Sequence, residues 1–499
     1  MIKILLENFY VQLLIIGLIL TLVYLQLTKK RLNEPPIVYY RYPIFGHTFQ
    51  FMTNCEKLIE ESREKYGDAF TLYIFGKLMT VVRKDAIYDV YKKEGHDFNF
   101  QESPEVLLVI KYLFPYAALD IDRSVKILRD FFKLKLAYTT SKIHQSIIEG
   151  MNNFVGECVE PKLIKGPNEL LLNIYLQIAA NTIIGEECAS YEDILEAFKD
   201  LYYSVINIFY APKLLSLIHP WLHDQAASFS LRFISNHRSK IINRIRPVIE
   251  RRLLYKSKLG DSWDAPVDAL QLFLDDPEIA PDFNPNNVDY NIIVDTIGVF
   301  MFASMATTSN ATAYALVELA KRKKDYWQEL YQEAQEINKK SNGNPTYKDF
   351  NSMVKLEMFI KESLRINSHV LSLPRPCVRE TYTFANGFQI PYGRQVFLDV
   401  SEISFSEELN GQNPQEFDAH RHNSPATKPD DGYLIFGSGI RACPGRFFAV
   451  LLAKIFLYHV LLNYNIKAEL ENAKHKQHVG FLLGLLKPGK AGIVFEKSV

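Results

Sequence analysis

Five cysteines in 499 residues are few, odd in number and far apart: Cys55, Cys158, Cys188, Cys377 and Cys443. No CxxC pair or His/Cys zinc spacing joins them. That excludes a disulfide framework and a structural zinc site, and it fits a reducing, cytosol-facing compartment. Net charge is also missing, because 57 Lys and Arg balance 57 Asp and Glu. No global field therefore points to nucleic acid or an acidic partner. Fixed-period repeats, low-complexity tracts and a flavin or nicotinamide fingerprint after a strand are all absent, which excludes a solenoid and a built-in dinucleotide site. What remains is ordinary globular composition, 48% hydrophobic and 23% charged, in a chain long enough to bury a large core.

The N-terminus departs from that composition. Phe9 to Leu27, FYVQLLIIGLILTLVYLQL, is nineteen residues without a charge. At ~1.5 Å per residue this spans a hydrocarbon core of ~30 Å. Lys29, Lys30 and Arg31 follow it, against only Lys3 and Glu7 before it, so the positive-inside bias leaves the C-terminal body in the cytoplasm. The length of the run and the lack of a small-residue cleavage site favour an uncleaved anchor over a signal peptide. The chain thus divides into an anchor (1–31), a hinge stiffened by Pro35, Pro36 and Pro43 (32–47), and a single body (48–499).

Within the body, Ala69 to Asp85 reads as a hairpin broken at Gly76 and Lys77. From Ile121 to Ser341 the apolar period is mostly helical, and strand signals return in YTFANGFQIPYG and AGIVFEK. The expected fold is mainly α with small β-sheets at its edges.

The chemistry concentrates in LIFGSGIRACPGRFFAV, Leu434 to Val450. Phe436, Gly439, Arg441, Cys443, Pro444 and Gly445 stand in the order F-x-x-G-x-R-x-C-P-G. Glycines such as Gly437, Gly439 and Gly445 let a backbone turn tightly and approach a flat cofactor. N–H groups freed by the turn can point at the sulfur, and the helix beginning near Gly445 places a positive dipole end beside it. Arg441 is spaced to reach a carboxylate on a cofactor rim. A buried structural thiol requires none of these features.

This loop resembles the haem-binding signature of the cytochromes P450, a family of haem–thiolate monooxygenases, and the resemblance extends over nearly the whole chain. It implies a mainly α P450 fold behind a single transmembrane helix, with 48–499 as the haem–thiolate catalytic domain. Cys443 would be the axial ligand of heme b (iron protoporphyrin IX), with Phe436, Gly437, Gly445 and Arg441 around the cofactor. FIKESLRIN supplies Glu362 and Arg365, three apart on one helix face. With Arg421 they match the family's structural Glu-Arg-Arg cluster, although Ala419-His420-Arg421-His422 replaces the usual flanking residues. Arg129 and Arg375 stand where the family places further propionate partners, with Val125 in place of the usual tryptophan.

GVFMFASMATTSNATAYALVELA, Gly298 to Ala320, resembles the family's oxygen-binding helix. Its cluster of small hydroxyl residues is expected to loosen the helix, since such side chains compete for backbone carbonyls. Thr307 matches the catalytic threonine that passes protons toward dioxygen. The acid before it is replaced by Ala306, which leaves proton supply to Thr307, Ser304 and water. Retention of the threonine favours oxygenation over isomerisation or dehydration.

The resemblance implies NADPH-derived electrons from a separate NADPH–cytochrome P450 reductase, with cytochrome b5 as a further candidate donor. A monomer on the endoplasmic reticulum membrane, catalytic domain facing the cytoplasm, is expected. Phe302, Ala303, Ala306, Val370, Leu371 and Leu482 are expected to line an apolar pocket for a lipophilic substrate, a steroid or sterol first. The apolar stretch Leu201 to Leu222 would dip into the bilayer over it. Fatty acid or terpenoid oxidation, a P450-type isomerase or dehydratase, a non-catalytic haem-binding membrane protein and an anchored helical scaffold are the alternatives.

Overall fold

The computed structural model describes residues 32–103, 113–117, 121–210, 214–232, 236–367, 371–469, 478–479, 486–487 and 492–498. The expected anchor, Val370, Leu482 and part of the 201–222 stretch lie outside the described residues.

Twelve helices of eight or more residues appear among the described residues. They are α1 (Thr48–Tyr66), α2 (Asp85–Lys92), α3 (Ile121–Leu134), α4 (Leu136–Phe154), α5 (Pro167–Ile183), α6 (Glu192–Tyr210), α7 (Pro220–Arg232), α8 (Asn236–Leu259), α9 (Tyr290–Lys321), α10 (Lys323–Lys340), α11 (Val354–Ile366) and α12 (Arg446–Asn463). The long apolar α9 is the axle. Its start is capped by the Asp289 side chain, which accepts from the Asn291 N–H. Pro167 opens α5, where a missing N–H costs nothing, and α5 then lies along α9. Both α9 and α12 are apolar and long enough to cross a bilayer, but 67% and 72% of their most apolar windows are buried inside the protein. They are core helices with most of their apolar residues buried inside the protein.

The sheets are small and peripheral. Strands β1 (Ala69–Ile74), β2 (Lys77–Val82), β4 (Arg375–Pro376) and β7 (Gln395–Leu398) form one sheet in the order β1-β2-β7-β4, with β2 and β7 parallel. Strands β3 (Lys162–Ile164), β8 (Tyr464–Ala468) and β11 (Ile493–Lys497) form another, and β5 (Thr381–Thr383) pairs with β6 (Gln389–Pro391). A last pair joins β9 (His478–Val479) and β10 (Leu486–Lys487). The hairpin of β1 and β2 turns one residue earlier than expected, at Phe75 and Gly76, with φ of 49° and 75°. A left-handed pair matches strand twist. The strained Phe75 is buried, and its N–H donates to Thr48 Oγ1 at 2.9 Å.

The proline-rich segment 32–47 is fastened to the body. Thr71 N–H donates to Pro36 O at 2.8 Å, Val38 N–H to Thr71 O at 2.9 Å, and Gln389 N–H to Asn33 O at 2.8 Å.

Candidate active site

The cysteine loop is closed by one bond, Cys443 N–H to Phe436 O at 2.8 Å. Gly437 and Gly439 both have φ of 69°, a region that costs other residues about 1–2 kcal/mol. A Cβ on Gly439 would also stand 3.1 Å from the Tyr91 carbonyl oxygen, so this glycine is required twice over. Gly445 differs: its φ is −84° and nothing lies within 4 Å of where a Cβ would be. Burial pushes the Cys443 thiol up, while the N–H groups of Gly445 and Arg446 at the start of α12 and the Arg446 charge pull it down. The net displacement is upward, and metal coordination is what would leave such a sulfur ionised.

The arginines around this loop are all engaged with protein groups. Arg441 pairs with Asp122 on α3, Nη2 to Oδ2 at 3.2 Å, and the Arg441 hydrogen bonds hold the Asp122 carboxyl below its usual range. Arg441 Nε is buried with no hydrogen-bond partner. Arg129, also on α3, donates from Nη2 to Ile440 O at 2.9 Å and ties that helix to the loop. Arg375 is buried, with Nε 2.8 Å from Glu94 Oε2 and its guanidinium 4.7 Å above the Tyr91 ring. Tyr91 and Glu94, on and just after α2, were not singled out by sequence, because nothing local marks them.

On α9, Ala303 and Thr307 are exposed although the residues around them are mostly buried. Val299 and Ala311 extend the same four-residue spacing and are half-buried, so one stripe of the axle faces open space. Phe302 borders it, with its ring 6.4 Å from that of Tyr202. Ala306 and Leu371 do not reach the stripe's open space: both are buried, and Leu371 packs in the core beside the first sheet. The expected loosening of the helix is overturned, since α9 runs unbroken. Thr307 Oγ1 donates to Ala303 O at 2.7 Å, Ser309 Oγ to Met305 O at 2.6 Å and Ser304 Oγ to Met301 O at 3.1 Å. Each hydroxyl adds a second donor to a carbonyl and does not displace the helical N–H.

Behind the loop, Glu362 and Arg365 are fully buried on α11. The carboxylate accepts from Arg365 Nε and Nη2, both at 2.8 Å, from Arg421 Nε at 3.1 Å and from the Asp418 N–H at 2.8 Å. His422 Nε2 lies 2.7 Å from Oε2, a fourth side of the cluster that sequence reasoning left unassigned. Ring contacts carry the cluster to the cysteine: His422 to Tyr433 at 6.5 Å, then Tyr433 to Phe436 at 6.5 Å.

The sequence profile of the Cytochrome P450 family matches residues 35–494. The chain belongs to the cytochrome P450 family. Among curated proteins, cytochrome P450 monooxygenase janQ of Penicillium janthinellum is 31% identical over 217 residues, 41% of this chain and 42% of its own length. Cytochrome P450 monooxygenase AN1598 of Emericella nidulans is 26% identical over 60% of this chain and 56% of its own. The chain thus spans about half the length of the first curated relatives it matches, whereas cytochrome P450 monooxygenase 110 of Postia placenta, 23% identical, aligns over 97% of each. Among solved structures, retinoic acid-bound cyanobacterial CYP120A1 shares the fold, with a TM-score of 0.68 and 19% identity, covering 94% of this chain and 100% of that one.

Membership in this P450 family implies a haem and a redox partner that supplies electrons. The residues present fit a haem. The backbone N–H groups of Gly445 and Arg446 support a thiolate at Cys443, and the buried, unpartnered Arg441 Nε is a donor for a carboxylate on the cofactor's rim.

Proposed function

We propose that this P450 is a membrane-anchored monooxygenase that hydroxylates a lipophilic small molecule, a steroid or sterol first among the candidates. The observation that carries the reading is the open, apolar stripe of Val299, Ala303 and Ala311 on α9, interrupted only by the hydroxyl of Thr307. Such a surface binds hydrocarbon and offers one proton-handling group. Haem bound through Cys443 supplies dioxygen activation, so that substrate, O2, two electrons and two protons give alcohol and water.

The chain's own residues do the rest. Gly445 and Arg446 direct N–H groups at the Cys443 sulfur. Thr307 donates its hydroxyl hydrogen to Ala303 O in the resting structure, which leaves its oxygen able to accept a hydrogen bond from water; to relay, it would hand on its own proton as it takes one from that water. Ala306 carries no acid, so that water is the source. The uncharged run Phe9 to Leu27 supports the anchor, and the basic residues after it support a cytoplasmic orientation on the endoplasmic reticulum. There an NADPH-dependent reductase on the same membrane, with or without cytochrome b5, reaches the protein at high effective concentration.

The test uses membranes containing the full chain. A band near ~450 nm after reduction and carbon monoxide is expected from thiolate ligation. Steroids should then shift the Soret band, and NADPH with reductase should give hydroxylated product. A 450 nm band without steroid binding, but with turnover of fatty acids or terpenoids, replaces the substrate class. Binding without turnover by any lipophilic class replaces the enzyme with a haem sensor.

A further inference from the structure

Arg446 opens α12 and reaches back onto the loop it follows. Its Nη1 donates to Cys443 O at 2.7 Å and its Nε to Thr427 O at 2.9 Å. The guanidinium also lies 4.5 Å from the centre of the Phe447 ring. Two backbone carbonyls and an aromatic face hold the group in place, and none of the three carries a charge. Among the described residues no carboxylate pairs with it. That sets Arg446 apart from Arg441, Arg375 and Arg365, which face Asp122, Glu94 and Glu362.

A half-buried arginine without a counter-charge is costly, because no opposite charge repays its desolvation. Burial pulls the Arg446 guanidinium below its ordinary value. The Cys443 sulfur opposes that pull, and the positive charge of Arg129 adds to it. Arg446 therefore stands between a like charge and a buried sulfur. The arrangement is unfavourable around a neutral thiol and favourable around a thiolate, whose negative charge is the partner Arg446 lacks. The backbone N–H of Arg446 is aimed at the same sulfur. Any replacement short of proline keeps that N–H, so substitution isolates the side-chain charge.

We propose that Arg446 is a positioning residue that fixes a positive charge against Cys443 and raises the reduction potential of a haem bound there. It touches no substrate and acts through the cysteine. One electron passes from the redox partner, which is oxidised, to the iron, which goes from ferric to ferrous, and the site gains one negative charge. A fixed cation favours the form that carries the added charge. Two unit charges about 12 Å apart at an effective dielectric of 20 interact strongly enough to move an equilibrium about tenfold. Arg446 touches the peptide of Cys443 itself, so its charge lies closer to the sulfur than that. The inference rests on haem ligation by Cys443 and not on the substrate class. A wild-type protein without the 450 nm band counts against ligation, whereas the potentials below judge the charge.

The test is a spectroelectrochemical titration of the haem-loaded full chain, without substrate or reductase, in wild type, Arg446→Gln, Arg446→Met and Arg446→Lys. Glutamine keeps a side-chain donor for a carbonyl and methionine keeps the apolar stem, but both remove the charge. Lysine keeps the charge and loses the planar fork. At a fixed electrode potential the ferrous-to-ferric ratio should fall about tenfold in the two neutral variants, about 59 mV for one electron. In Arg446→Lys it should stay within about threefold of wild type.

Equal falls in all three variants are what lost packing of the loop would produce, and they overturn the proposal. So does a wild-type potential in both neutral variants. Should neither neutral variant hold haem, Arg446→Lys decides alone: a tenfold fall with the charge retained overturns the proposal, and a wild-type potential there supports it.

Discussion

His422 Nε2 and Glu362 Oε2 lie 2.7 Å apart in the buried cluster behind the cysteine loop. The same oxygen also accepts from Arg365 Nε at 2.8 Å, so His422 is an addition to an already complete ion pair. His422→Phe should therefore be mild. It removes one hydrogen bond but orphans no charge, a loss of about 1–2 kcal/mol. Glu362→Gln strips the partner from buried Arg365 and should cost about 3–5 kcal/mol. Thermal unfolding of the two variants, with the 450 nm band as a check on the cysteine loop, should show that order. Equal losses would mean that His422 carries the cluster.

Glu362 also predicts acid behaviour. Burial pushes this carboxyl up, but the hydrogen bonds from Arg365 and His422 and the Arg365 charge more than reverse it, to about 2. An unfolded glutamate titrates near ~4.3, so the folded state binds its proton less readily. The associated stability, about 3 kcal/mol, is present above roughly pH 5 and is lost as pH falls toward the folded value. Unfolding free energy measured from pH 6 to pH 3 should fall with a slope that Glu362→Gln flattens. An unchanged slope in the variant would assign the acid sensitivity elsewhere.

Residues close in sequence announced their roles, and residues joined only by folding did not. The cysteine loop was legible because its glycines, Arg441 and Cys443 are contiguous, and Glu362 with Arg365 because helical spacing pairs them. The hairpin at Phe75 and Gly76 was one residue off, because the burial of Phe75 tolerates a left-handed backbone that local preference assigns elsewhere. The regularity of α9 was misjudged for a related reason: a hydroxyl run can share carbonyls with the helix as well as compete for them. Glu94 beside Arg375, and Asp295 between Arg238 and Tyr116, are invisible in sequence, since 281 residues separate the first pair and 179 separate Asp295 from Tyr116.

Two glycines of the loop should fail differently. Gly439→Ala forces a Cβ 3.1 Å from the Tyr91 carbonyl at a φ of 69°, so it should destabilise the fold by about 2 kcal/mol or more. Gly445→Ala meets nothing within 4 Å at an ordinary φ, so the melting temperature of haem-free protein should stay unchanged. A haem lying against Gly445 would meet the added methyl, and haem content per chain should drop. Melting curves against pyridine-haemochrome content separate the two. A Gly445→Ala protein with full haem content would place the cofactor on another side of the loop.

Thr307 is the remaining site residue whose role a single substitution isolates. Its hydroxyl is exposed on the stripe and donates to Ala303 O at 2.7 Å, a bond that adds nothing the helical N–H groups lack. Thr307→Ala should therefore leave the unfolding free energy within about 0.5 kcal/mol of wild type, as for a surface change, and leave the 450 nm band intact. What it removes is the hydroxyl that relays a proton from water, and with Ala306 beside it no acid side chain substitutes. Product formed per NADPH consumed should fall about tenfold or more, within the range of a lost proton donor, with the missing electrons recovered as hydrogen peroxide. Thr307→Ser keeps the hydroxyl and should restore coupling. If Thr307→Ala stays fully coupled while Ser304→Ala does not, the proton passes one turn earlier on α9, through the hydroxyl that now donates to Met301 O.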